Sequence, residues 1–170
     1  MRVLKTCATL FAVAAFAVTA ARANVPGAEN WNAPAIAWHS LKSGIPEATR
    51  TGKTVVMVFH APWCTACAKY RAVFKDERVV AASKNVVMIL VDADADKTAN
   101  GAFAPDGTYV PRTIFLTPDG DVRTDLTGKT DPEHPHSLDI EKADELLALM
   151  QKAGAKSEDL APPSDQRASN

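Results

Sequence analysis

The chain is poor in cysteine. It holds three in 170 residues, and two of them, Cys64 and Cys67, form a single C-x-x-C. That excludes a disulfide-stapled scaffold, which depends on several bridges. No basic run is present, and acidic residues outnumber basic ones by 20 to 19. This balance argues against nucleic-acid binding through charge and against docking on anionic lipid. No stretch reaches the about 20 apolar residues of a spanning helix, so no stable membrane insertion is expected. Asp92, Asp94 and Asp96 are spaced like cation ligands, but neither a glycine nor a distal glutamate completes a calcium loop. They are read as a solvated strand end.

The first 23 residues have the pattern of a secretory signal: Arg2 and Lys5, an apolar stretch over 10–17, and Ala21-Arg22-Ala23 as a small-x-small cleavage site. Cleavage there removes Cys7 and three basic residues. It leaves 147 residues with 16 basic against 20 acidic, one domain's worth of chain. Residues 24–37 read as an extended lead-in tethered by Trp31 and Trp38, residues 38–154 as the folded domain, and residues 155–170 as a tail of disordered composition.

Within the domain, Leu41, Ile45 and Ala48 indicate a short first helix, started or interrupted by Pro46. Residues 54–60 and 86–92 are almost wholly apolar and β-branched, the pattern of strands buried on both faces. Residues 68–83 read as one helix broken near Asp76, or as two abutting helices. A long connection over 93–109 carries the Asp106-Gly107 turn signal. A third strand over 112–117 then turns at 118–121 into a paired strand over 122–126. An amphipathic helix is expected over 138–153, closed by Gly154. Two strands joined through a helix make a right-handed parallel unit, and the hairpin is antiparallel. The expected fold is α/β, a mixed central sheet with helices on both faces.

The C-x-x-C falls between a buried strand and a helix start. Unpaired N–H groups and the helix dipole there stabilise a thiolate at Cys64, and the thiolate is the species that attacks disulfides. Cys67, one turn on, is placed to attack the resulting mixed disulfide, while Trp63 shields one side of Cys64. Two other chemistries use the same residues. Metal carriage would need further ligands, such as His134 and His136, because two thiolates do not complete a tetrahedral shell. An inert disulfide closing so small a loop would constrain little of the unfolded chain. Pro111 opens the third strand, a position open to proline. It is either a plain strand start or part of a cis Val110–Pro111 bond that turns the Val110 backbone toward a bound peptide. His39, His134 and His136 read as surface residues.

Taken together, Trp63-Cys64-Thr65-Ala66-Cys67 after an apolar strand and Val110-Pro111 before the third strand resemble a thioredoxin fold. Gly52-Lys53, Phe59-His60-Ala61-Pro62-Trp63-Cys64, residues 103–112 and residues 115–120 narrow the resemblance. They are similar to small secretory-pathway thioredoxin-domain proteins, the group of single-domain endoplasmic-reticulum oxidoreductases and anterior-gradient proteins. The resemblance spans about residues 38–149. It implies a thiol–disulfide oxidoreductase with Cys64 attacking, Cys67 resolving and Pro111 as the cis-proline. Trp63, Val110 and Pro111 would meet the substrate, with no cofactor or metal. Implied partners are client proteins bearing thiols or disulfides, and a protein electron donor or acceptor.

Three features depart from that pattern. Thioredoxins carry a buried acid six residues before the first cysteine, where this chain has Val58; His60 is then a candidate for proton transfer. The Arg-Ala-Ser-Asn terminus lacks a retrieval signal, which together with the signal segment favours a bacterial periplasm, with export beyond it second. The Thr65-Ala66 dipeptide matches neither reducing nor strongly oxidising relatives. A non-enzymatic partner-binding or chaperone-like module is the alternative function.

Overall fold

The computed structural model describes residues 25–154; the expected signal segment and tail lie outside the described residues. The elements that follow are the 3-10 turn Ala28–Trp31, β1 Trp38–His39, α1 Leu41–Thr51, β2 Val55–His60, α2 Thr65–Tyr70, α3 Glu77–Ala82, β3 Val87–Asp92, α4 Lys97–Ala102, β4 Arg112–Leu116 and α5 Asp144–Gly154. The strand order is β1-β3-β2-β4. β1 and β2 run parallel to β3, and β4 runs antiparallel to β2 with Val58 opposite Thr113.

Every residue of β2 and β4 is buried, because the sheet is covered on both sides. Side chains alternate between faces along each strand. Val56, Val58, Met88, Leu90 and Phe115 pack with Trp31, Tyr70 and Phe74, and with Leu146 and Met150 of α5. Val55, Met57, Phe59, Ile89, Ile114 and Leu116 pack against Ala48 of α1 and Ala99 of α4. This is the expected mixed sheet with helices on both faces.

Several elements differ from the sequence reading. Residues 25–37 are not extended: they fold into turns and a 3-10 helix that places Trp31, fully buried, against the rings of Trp38, His60, Tyr70 and Phe74. β1 was not expected; two residues are too few to show a period. Pro46 lies inside α1. The i→i−4 bond it removes points at the carbonyl of Lys42, on the exposed side of the helix. Asp76 does break the helical stretch, capping α3 by accepting from Arg78 N at 2.8 Å.

The strand expected over 122–126 shrinks to a single bridge, Val122 to Leu116. The chain turns at Arg123, whose guanidinium is held by Asp125 at 2.7 Å, and this turn drops Leu126 into the core. The last helix begins at Asp144, not Leu138. The Asp139 carboxylate accepts from the amides of Glu141 and Lys142, which holds that approach in a turn. The long connection hides α4, capped by Asp96 accepting from Ala99 N at 2.9 Å. Asp92 likewise accepts from the amides of Asp94 and Ala95. These carboxylates therefore order the connection, and are not merely solvated.

Candidate active site

β2 delivers the motif. His60 O accepts from Ala93 N at 2.8 Å, and the chain then leaves the sheet in a turn closed by Cys64 N donating to Ala61 O. Cys64 has extended backbone geometry and caps α2, its sulfur accepting from the Cys67 N–H at 3.0 Å. The two cysteines form a disulfide with Cα atoms 5.2 Å apart. Both are buried, Cys64 with 5% residual exposure and Cys67 with none. The Cys64 Sγ lies 3.6 Å from the Val110 carbonyl, and the Val110–Pro111 bond is cis. Two distant segments thus meet at one sulfur. α2 is short, so the direct N–H···S contact matters more for a Cys64 thiolate than the summed dipole does.

Trp63 projects from the same turn and is 72% exposed. Its indole Nε1 donates to the Asp94 carboxylate at 2.7 Å, which fixes a large apolar ring beside Cys64.

Behind the motif, Val58 is fully buried where the resembling proteins have an acid. His60 is 5% exposed, and neither ring nitrogen has a hydrogen-bond partner. Its ring centroid lies 5.3 Å from that of Trp31. Burial pushes the imidazole pKa below its ordinary value, more than the Asp92 charge opposes, and Arg71 adds to the fall. The ring is therefore neutral at pH 7. Alternation along β2 puts it on the same face as Val56 and Val58, the face that α2 covers.

Val110, whose carbonyl touches the Cys64 sulfur, lines a groove of about 500 Å³ together with Ala66, Pro111, Thr130, Asp131 and residues 137–141. The loop that presents Val110 is anchored by groups the sequence reading missed. Arg112 is fully buried on the far face of the sheet, 4.3 Å from the Phe59 ring. It donates to Tyr109 O at 2.8 Å and to Asn100 Oδ1 at 2.8 Å. Asp106 accepts from the Tyr109 hydroxyl at 2.5 Å. Burial pushes the Asp106 carboxyl up, but the Tyr109 hydroxyl, the nearby His136 ring and the His136 backbone N–H outweigh it and hold the group below the usual carboxylate range.

His136 is not a surface residue: it is buried, with Nδ1 3.0 Å from Asp106 Oδ1 though out of line for a straight hydrogen bond. An arginine directly after a strand-opening proline was the one available signal of this cluster. His134 pairs with Asp131 at 3.1 Å. Among the described residues no three His, Cys, Asp or Glu side chains gather as a metal-binding group, so neither histidine joins the cysteine pair. Among the same residues no helix is long and apolar enough to cross a membrane.

Residues 37–118 match the thioredoxin-like family model. The fold is thioredoxin-like. Anterior gradient protein 3 of Xenopus tropicalis is 32% identical over 98 residues, 55% of this chain and 57% of that protein. The thiol:disulfide interchange protein DsbD of Ralstonia nicotianae is 34% identical over 114 residues, 66% of this chain but 17% of that protein. The chain thus spans a little over half of the first relative and a small part of the second. Among solved structures, a thioredoxin from Thermus thermophilus superposes with a TM-score of 0.54 at 20% identity, covering 72% of this chain and 89% of that one. This likeness concerns the thioredoxin-like fold alone.

Proposed function

We propose that this chain is a thiol–disulfide oxidoreductase acting on protein disulfides through Cys64 and Cys67. The observation that carries the reading is the Cys64 sulfur, which accepts from the Cys67 N–H and touches the carbonyl of Val110, a residue that lines a groove. In the dithiol form the Cys64 thiolate attacks a client disulfide. A Cys64–client bond forms, and one client thiolate leaves. Cys67 then loses its proton and attacks Cys64. The internal disulfide forms, and the second client thiolate leaves with the electron pair. Run backwards, the same steps oxidise a client dithiol. The second step needs a proton acceptor for Cys67, and neutral, unpartnered His60 takes that role in place of the acid missing at Val58. Trp63, Val110 and Pro111 form the surface that meets the client. The groove holds the extended segment that flanks the client's cysteine. The thiol:disulfide interchange name of one relative is in keeping with this chemistry.

The partners are then client proteins with thiols or disulfides, and a protein that restores the redox state of the pair. The signal pattern in residues 1–23 supports a periplasmic location, with secretion as the alternative. N-terminal sequencing of protein recovered from a periplasmic extract, starting at Asn24, tests it.

Cys64→Ser abolishes insulin reduction, and Cys67→Ser accumulates mixed disulfides with clients. Turnover retained in Cys64→Ser contradicts the reading. The exposed Trp63 ring beside a groove also favours a second reading, a module that holds partners without chemistry. Capture of the same partners after both cysteines are changed to serine would support it.

A further inference from the structure

One wall of the groove beside Cys64 has no regular secondary structure of its own. Residues 127–142 run from the end of the β4 turn to the start of α5 as an irregular strap. Its outgoing limb supplies Thr130 and Asp131 to the groove, and its returning limb supplies Ser137 to Glu141. Internal bonds hold the tip, with Gly128 N donating to Pro135 O and Ser137 N to His134 O, both at 2.8 Å. Thr113 N donates to His136 O at 2.8 Å and ties the tip to β4. None of these joins the two limbs where they line the groove.

That junction is made by one side chain. Glu145, in the first turn of α5, accepts four hydrogen bonds. Lys129 N (2.5 Å) and Thr130 N (3.0 Å) reach Oε1; Thr130 Oγ1 (2.9 Å) and Asp139 N (2.8 Å) reach Oε2. One oxygen serves the outgoing limb, and the other bridges both. Charge-assisted bonds of this kind are about twice as strong as neutral ones. Burial pushes the Glu145 carboxyl up, and these donors outweigh it, so the group stays ionised well into acid. α5 is itself fixed by Leu146, Leu147 and Met150 in the core, so the staple stands on a rigid support. Glu145 does not itself line the groove.

We infer that Glu145 is a positioning residue that sets the client-binding wall, so that the strap selects extended polypeptide disulfides over small ones. The inference rests on the oxidoreductase reading above. A small disulfide needs only the Cys64 sulfur. An unfolded client segment must also lie along the wall, and a wall free to move costs it ordering entropy on binding.

The test uses Glu145→Gln, which keeps the shape but replaces one accepting oxygen with an NH2 group. The dithiol protein is assayed on insulin, with dithiothreitol as reductant, and separately on glutathione disulfide. The KM for insulin rises about tenfold. Its kcat and the glutathione disulfide rate stay within about twofold, and the amides of Lys129, Thr130 and Asp139 exchange hydrogen faster. An unchanged insulin KM with faster exchange overturns the inference. An equal loss on both substrates also overturns it, because Glu145 would then act on the sulfurs or on the whole fold. Wild-type protein that reacts with neither disulfide defeats the oxidoreductase reading instead. Should Glu145→Gln fail to fold, Gly128→Ala displaces the same limb. Its added methyl would lie 2.6 Å from Leu138 Cδ2 and 3.0 Å from Glu145 Oε1, and its insulin KM must rise in the same selective way.

Discussion

Trp63 and Asp94 are joined by a 2.7 Å hydrogen bond from the indole to the carboxylate. A ring that is 72% exposed would otherwise sample several rotamers beside Cys64. Asp92 orders the turn that presents Asp94, so the strand end and the motif are one mechanical unit.

Asp94→Ala therefore weakens client capture and leaves the fold intact. An exposed hydrogen bond is worth about 0.5–1.5 kcal/mol, so the insulin KM rises roughly two- to tenfold. The melting temperature moves by no more than a few degrees. Parallel kinetics and thermal melts check this. An unchanged KM with a lowered Tm would place the pair in stability alone.

Gly44 of α1 sits where a Cβ would lie 2.5 Å from both Cγ1 and Cδ1 of Ile89 on β3. Alanine would gain up to about 1 kcal/mol in helix propensity. Overpacking at this depth costs about 1–3 kcal/mol, and the methyl also meets His39 Cβ at 3.1 Å. The cost wins, so Gly44→Ala lowers the urea midpoint. A raised midpoint would show that α1 can lift from the sheet freely.

His60 makes stability depend on pH in a defined window. Its folded pKa is depressed, so the unfolded chain binds a proton that the folded chain refuses. The stability this contributes is complete above the unfolded value of about 6.5 and is lost as pH falls below it. Phenylalanine at this site removes two buried nitrogens that lack partners, at a saving of about 1–3 kcal/mol. Urea unfolding at pH 7.5 and pH 5 should show a loss in wild type that shrinks in His60→Phe. The carboxyls of Asp76, Asp106 and Glu145 are held below the usual carboxylate range, outside this window. If His60 also takes the Cys67 proton, the same variant slows release of trapped client. An identical pH slope in both proteins would contradict the burial argument.

The sheet core and the cysteine site could be read in the sequence because both are local. Runs of β-branched residues over 54–60 and 86–92 mark strands covered on both faces, and a C-x-x-C directly after such a run falls at a helix start. What stayed hidden depends on contacts between distant segments. β1 has two residues and exists only because β3 offers it an edge. Trp31 is legible as a tether of the lead-in, but the four rings that gather around it are not. The strand expected over 122–126 yields to a turn because the Arg123–Asp125 pair and the burial of Leu126 outweigh ladder bonds. His136 looks like a polar loop residue until Asp106, 30 positions earlier, is seen against it. The strap stapled by Glu145 has no sequence signature, because its four donors come from 6 to 16 residues away.

The most direct test of the account is a titration of the two thiols in reduced protein, followed by thiolate ultraviolet absorbance with Cys64→Ser and Cys67→Ser as references. The Cys67 N–H on the Cys64 sulfur and the helix start stabilise the anion. Cys64 should then ionise below the ordinary thiol value of about 8.5, while fully buried Cys67 ionises above it. Two thiols that both titrate at or above that value would contradict the account.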